Sequence, residues 1–144
     1  VSLGSMDYLA AASPAAINRL CPQGYAPRRL RDLPFVAFNR KDDLQAEFVC
    51  RALKLRQVAL QQCFVPSPQG QMRALLAGWG ASVLPELLVR PWLDSGQLVD
   101  LAPETRVPVA LYWHCWNLDS PLLDRLTRAV IAAANAALHP PNAP

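Results

Sequence analysis

The sequence predicts a layered α/β fold, and three observations carry that prediction. Short apolar runs of strand length alternate with segments of helical periodicity along the whole chain. Serine-proline pairs at Ser13-Pro14, Ser67-Pro68 and Ser120-Pro121 each stand where a helical segment begins. Serine suits the N-cap, and proline suits the first helical position, where its missing N–H costs nothing. The third observation is composition: of 144 residues 52% are hydrophobic and 17% charged, which suits one domain with a sizeable core and excludes disorder.

Taken in order, Asp7 to Ala12 reads as a strand, and Val1 to Ser5 carry no element start. Pro14 to Leu20 is a short helix ended by Cys21-Pro22-Gln23-Gly24, and Pro27 to Asp32 is a helical turn. The apolar run Leu33 to Ala37 leads into a strand over Phe35 to Phe38. Asp42 to Leu53 places Leu44, Phe48 and Ala52 at four-residue spacing with Val49 and Leu53 alongside, an amphipathic helix. A strand over Val58 to Val65 and a helix over Gln69 to Leu76 follow, the helix turning Met72, Leu75 and Leu76 inward. Ala81 to Leu84 is a short buried strand, Glu86 to Leu93 a helix, and Leu98 to Leu101 and Pro108 to Trp113 are strands. Leu122, Leu123, Leu126, Ala129, Val130, Ala133 and Ala137 give a last helix one apolar face, and His139-Pro140-Pro141 stops it before a frayed tail.

Several function classes find no support. The net charge of +3 is small for a nucleic-acid surface, and Arg28-Arg29-Leu30-Arg31 lacks interleaved aromatics, so it reads as a solvated helix face. No apolar run approaches the ~20 residues of a membrane span, and no signal segment opens the chain. Cys21, Cys50, Cys63 and Cys115 lie far apart and, with only His114 and His139 beside them, predict no metal site; they read as reduced thiols of a cytoplasmic protein. Gly78-Trp79-Gly80 precedes a strand, with Val83 where a dinucleotide loop has its third glycine, so it reads as a helix end and tight turn. There is no Gly-x-Ser-x-Gly and no suggested Cys-His pair. No catalytic residue and no cofactor are predicted, and the chain reads as a binding protein, not an enzyme.

The most informative segment is Phe38-Asn39-Arg40-Lys41-Asp42-Asp43-Leu44-Gln45. It puts polar side chains at the carboxyl end of a buried strand, where open α/β sheets bind ligands. Asp42 can instead cap the following helix, with Gln45 completing a capping box. The starts at Ser13 and Ser67 lie just past strand ends and present free N–H groups to an anion, while Asp42 and Asp43 suit a cation. Together they fit a zwitterion with an extra positive charge.

These residues resemble the effector-binding part of the LysR-type transcriptional regulators, and more narrowly the arginine- and lysine-responsive ArgP (LysG) branch. The octet is similar to that branch's signature, Tyr8-Leu9-Ala10-Ala11-Ala12-Ser13-Pro14 to its strand and crossover, and Gly78-Trp79-Gly80 with Pro85-Glu86 to the family's glycine-rich turn. Leu93 to Leu101 and Leu111-Tyr112-Trp113 extend the likeness, which runs from about Met6 to Leu138. It implies a periplasmic-binding-protein type II fold, with residues 14 to 103 as one nearly complete α/β subdomain and residues 1 to 13 and 107 to 144 as the C-terminal remainder of the other. It further implies a sheet edge and face left uncovered in that remainder. The helix-turn-helix and the first half of that other subdomain are expected to lie outside the chain. Implied effector contacts are Ser13, Asn39, Arg40, Asp42, Asp43, Ser67 and Gln69, although Ser67-Pro68-Gln69-Gly70 stands where the branch more usually shows Ser-Ser-Glu. Implied partners are a basic amino acid, a second copy of the chain (tetramers in the full-length protein) meeting through the helix bearing Phe48 and Val49, and operator DNA through the absent segment. A transport-type solute-binding protein or an amino-acid-precursor enzyme of the same fold are the competing expectations.

Overall fold

In the computed structural model, residues 1–116 and 118–140 are described; the tail expected to fray lies, from residue 141 on, outside them. The chain forms two compact units, Tyr8–Val107 and a smaller one made of Val1–Asp7 with Pro108–Pro144. The first break therefore falls between Asp7 and Tyr8, inside a strand, rather than after Ser13. Strand β1 (Ser2–Ala12) serves both units.

In the larger unit the sheet order is β3 (Gln62–Phe64), β2 (Phe35–Ala37), β4 (Ala81–Pro85), β1, β5 (Val99–Asp100). Strand β2 is parallel to β3 and to β4, whereas β1 is antiparallel to β4 and β5. The chain leaves β2 through helix α2 (Leu44–Leu53) to reach β3 on one side. It returns through α3 (Pro68–Leu76) to lay β4 on the other side. Connections diverge in this way at a topological switch point, here between β2 and β4.

Both faces of the sheet are covered at its central strands β1, β2 and β4, so their paired segments are apolar nearly throughout rather than alternating, whereas the edge strands β3 and β5 keep exposed residues. Ala10 and Ala12 pack with Phe35, Phe48, Val49, Val83 and Leu101 on one face. Their neighbours Leu9 and Ala11 pack with Met72, Leu75, Leu84, Val89 and Leu98 on the other. Period-two alternation thus divides one alanine-rich strand between two cores. Phe48 and Val49 are both 0% exposed, so the stripe of α2 expected to meet a second copy is used within the chain's own core.

Each serine-proline pair starts a helix. The Ser13 hydroxyl accepts from Ala16 N at the head of α1 (Pro14–Leu20), Ser67 from Gly70 N at α3, and Ser120 from Leu123 N at α5 (Pro121–Ala137). Helix α4 (Glu86–Asp94) follows β4 directly, and Pro27–Asp32 form a 3-10 turn.

The structure departs from the expected elements in three places. Strand β1 begins at Ser2, because its first half pairs with β6 (Val107–Tyr112), a pairing that Ser-Leu-Gly-Ser does not advertise. Strand β3 is three residues long instead of spanning Val58 to Val65, because its partner β2 offers only Phe35, Val36 and Ala37 to pair with. Val58 and Leu60 still pack on the core, but as irregular chain. Helix α5 buries Ala134, with Leu123, Val130 and Ile131 half-buried, whereas Leu122 is 75% and Leu126 49% exposed. The helix is apolar on more than one side, and only one narrow stripe of it is covered.

Strands β2 and β4 share a single paired position, Phe35 with Ala81. Beyond it they part, and side chains take over the orphaned backbone groups. Gln45 of α2 accepts from Val83 N at 2.7 Å and donates to Val83 O at 3.3 Å. Gln71 of α3 donates to Val36 O at 3.1 Å, and the Ser82 hydroxyl donates to the same carbonyl at 2.6 Å. Gln45, Gln71 and Ser82 are all buried.

Two substitutions test this arrangement. Gly80 has φ +150°, and a Cβ there would meet the Pro34 carbonyl that holds Ala81 N at 2.9 Å. Gly80→Ala is expected to lose about 2 kcal/mol or more in urea unfolding; an unchanged midpoint would show that the turn relaxes freely. Gln45→Leu fills the space but strands the Val83 N–H and C=O. It should destabilise the chain by roughly 1–3 kcal/mol per stranded group. Neutral stability would mean that water replaces the amide.

Candidate functional site

Where β2 and β4 part, the larger unit has a cleft of about 370 Å³. Phe38, Asn39, Lys41 and Asp42, from the loop that follows β2, form one wall. Tyr8 enters from β1, Leu84 and Pro85 from the end of β4, and Pro68 and Gln71 from α3. This is the carboxyl end of the parallel strands at the switch point, the place where such sheets bind ligands.

The octet braces itself. The Asn39 side chain accepts from Lys41 N at 2.8 Å, and its carbonyl accepts from Asp42 N at 3.1 Å. The Asp42 carboxylate accepts from Phe38 N at 2.9 Å, Leu44 N at 3.1 Å and Gln45 Nε2 at 3.3 Å. Asp42 thus satisfies a first-turn N–H of α2, although the N-cap position itself falls on Asp43, whose side chain makes no cap bond. The expected capping box does not form: Gln45 turns to Val83 and to the Asp42 carboxylate instead of the cap backbone. Capping and cleft-lining are consequently joint roles of one aspartate. Its charge is felt across the cleft, where burial and then the Asp42 carboxylate raise the Tyr8 phenol above its ordinary value of 10.0.

Of the seven residues singled out in the sequence, Asn39 and Asp42 line the cleft. Arg40 is exposed and lies over the Phe64 ring, 5.5 Å from its centroid. Asp43 is exposed at the head of α2. Ser67 and Gln69 flank the cleft-lining Pro68; the Ser67 hydroxyl accepts from Gly70 N at 3.0 Å and donates to Gln69 Oε1 at 3.4 Å.

Ser13 does not join them. The register of β1 against β4 sets Tyr8 opposite Pro85 and Ala12 opposite Ala81. Ser13 therefore lies past the opposite end of the sheet, five residues or roughly 17 Å along β1 from Tyr8. An antiparallel strand ends where its parallel neighbours begin. There Ser13 lines a separate hollow with Arg19, Gly78 and Gln97.

Sequence reasoning missed Tyr8, Lys41 and Gln71. Lys41 sat inside the octet, and Gln71 carried a legible signal, a glutamine between inward-facing positions of α3 beside Met72. Tyr8 had none, because only the antiparallel register brings the start of a strand segment to this end.

Among the described residues there is no group of three metal-binding side chains, and no helix is long and apolar enough to cross a membrane. Cys21 is buried, Cys63 and Cys115 are exposed, and all are free thiols.

Known proteins agree with this architecture. Residues 1–138 match the LysR substrate binding domain. The HTH-type transcriptional regulator ArgP of Aeromonas salmonicida is 34% identical over 138 residues, 96% of this chain and 46% of that protein. The crystal structure of ArgP from Mycobacterium tuberculosis superposes with a TM-score of 0.86 at 35% identity, covering 98% of this chain and 48% of that one. Full-length LysG from Corynebacterium glutamicum with bound effector Arg gives 0.76 at 32% identity, covering 97% and 46%. The chain thus spans about half the length of these relatives, and its fold is the α/β fold of LysR effector-binding domains, of the periplasmic-binding-protein type II kind. On that match, and on a cleft set at the same switch point the fold predicts, the chain belongs to the LysR substrate-binding domain family.

Proposed function

We propose that this chain is the ligand-sensing part of a cytoplasmic LysR-type transcriptional regulator and that its effector is a basic amino acid such as arginine or lysine. The observation that carries this reading is the Asp42 carboxylate, fixed by three donors and facing the switch-point cleft. A carboxylate held in this way favours a cationic group over a neutral one of equal size. Lys41, on the same wall, and the start of α3 at Ser67-Pro68 offer partners for the ligand's own carboxylate. The similar LysG structure that contains arginine as its effector supports the same class of ligand.

Sensing needs no chemistry in the cleft. A ligand shifts a regulator between two arrangements only through its different affinity for each, and moving 1:99 to 99:1 takes ~5.5 kcal/mol of difference. Operator DNA is met, on this reading, by a helix-turn-helix outside the matched half, the element named in the HTH-type relatives. The working form is a symmetric homo-oligomer, at least a dimer. A transport role on the same fold is not favoured, because the similar curated proteins are regulators.

Calorimetric titration with arginine, lysine and size-matched neutral amino acids should rank the basic ones first. Equal or absent heats for all would sink the assignment. Ser67→Ala is expected to cost about 1 kcal/mol of stability through the lost cap. It should also weaken the basic ligand several-fold, through the helix start that faces its carboxylate. Affinity that stays constant while stability falls would confine Ser67 to capping.

A further inference from the structure

The buried amide of Gln71 is only half used. Its Nε2 donates to Val36 O at 3.1 Å and to Ser82 Oγ at 3.3 Å, and the side chain is 3% exposed. The Ser82 hydroxyl donates its own proton to Val36 O at 2.6 Å, which leaves its oxygen free to accept from Gln71. This proton arrangement fixes the orientation of the amide. Turned the other way, Oε1 would face the Val36 carbonyl, acceptor against acceptor.

Oε1 is therefore directed away from that pair, and no hydrogen bond among the described residues reaches it. No fully enclosed side-chain oxygen or nitrogen among them lacks a partner, so Oε1 is not sealed in protein. Gln71 lines the cleft that Asp42 and Tyr8 also line. The opening to which Oε1 has access is that cleft.

We propose that Gln71 is a specificity-determining residue whose Oε1 accepts an N–H from a cationic group of the ligand. The inference deepens the basic-amino-acid reading and rests on it. An amide oxygen with two vacant lone pairs, in a cleft that the Asp42 carboxylate and the ring of Tyr8 also line, adds a group that prefers a positively charged donor. An alkyl side chain placed there would leave Oε1 desolvated and unpaired, so the amide discriminates against apolar ligands as well as favouring charged ones. The geometry also separates the two ends of this side chain. Nε2 supports the sheet, and Oε1 serves the ligand.

The test compares lysine with norleucine, which lacks the side-chain ammonium, and with 6-aminohexanoate, which lacks the α-ammonium. All three are titrated calorimetrically into the 144-residue chain and into Gln71→Met. All lining residues belong to one compact unit of that chain. The variant keeps side-chain volume, and Val36 O retains the Ser82 hydroxyl, so the sheet is not stripped of both donors. The preference for lysine over one of the two analogues should fall by roughly ten-fold or more in Gln71→Met. A purely structural role would weaken every ligand equally and leave the ratios unchanged, which would overturn the proposal. A wild-type chain with no preference for lysine would overturn the basic-amino-acid reading first and this assignment with it. Should Gln71→Met fail to fold, the side-chain carbonyl carbon resonance of wild-type Gln71 gives the answer. It should move on adding lysine and stay fixed with whichever analogue lacks the bonding ammonium; an unmoved resonance with lysine refutes the bond.

Discussion

The early parting of β2 and β4 is the constraint on which the larger unit depends. Two parallel strands that pair at one position leave a row of backbone groups facing each other across a gap too wide for a ladder. Buried and unpaired, each such group would cost about 1–3 kcal/mol. Gln45 from α2 and Gln71 from α3 remove that cost by supplying amide groups from opposite ends of the sequence segment. Their length matters. An asparagine on either helix would fall a methylene short, and a hydrophobe would fill the gap without bonding it. The cleft is open at the top of the sheet because its floor is closed by side chains rather than by a strand.

The same economy governs the loop after β2. Asp42 is held by three donors, one of them the amide of Gln45, so the residue that would meet a ligand's cation is fixed by the residue that holds the strands apart. A carboxylate already held by several hydrogen bonds does not need to reorganise when a cation arrives. Its partners on the loop are backbone N–H groups, dipoles rather than countercharges, so its net negative charge is not cancelled. That distinction explains how one aspartate can be both a structural brace and a recognition group.

How much of this was legible in the sequence follows from the range of each interaction. The helix starts were readable because a serine cap and a proline act within four residues, and all three serine-proline pairs begin helices. Core residues such as Phe48 and Leu75 were readable from periodicity. Strand lengths were not, because β3 stops where its partner stops and β1 extends where β6 supplies one, facts that belong to residues far away in the chain. Ser13 lies away from the cleft and Tyr8 lines it for the same reason. Tyr8 lies on β1 and Ser13 just past its end, and only the antiparallel pairing of that strand with β4 decides which end reaches the cleft. A motif can mark a helix start anywhere, but it cannot say which edge of a sheet that start will occupy.

Charge distribution carries the argument one step further than shape. The chain's net charge is +3, so long-range attraction does not explain a preference for a cationic ligand. Exposed charges farther off than about 8–10 Å are largely screened at physiological salt, which leaves selection to the few groups within the cleft. Those groups are ordered: Lys41 is exposed, Asp42 is partly buried, and Gln71 is buried. A zwitterion with a second cation can place its carboxylate toward the exposed lysine or the start of α3 while a cationic end goes inward. A dicarboxylate cannot do so without setting an anion against Asp42, and an aliphatic amino acid leaves the inner acceptors unpaired. On the proposed reading, selectivity in this cleft comes as much from what the inner groups penalise as from what they attract.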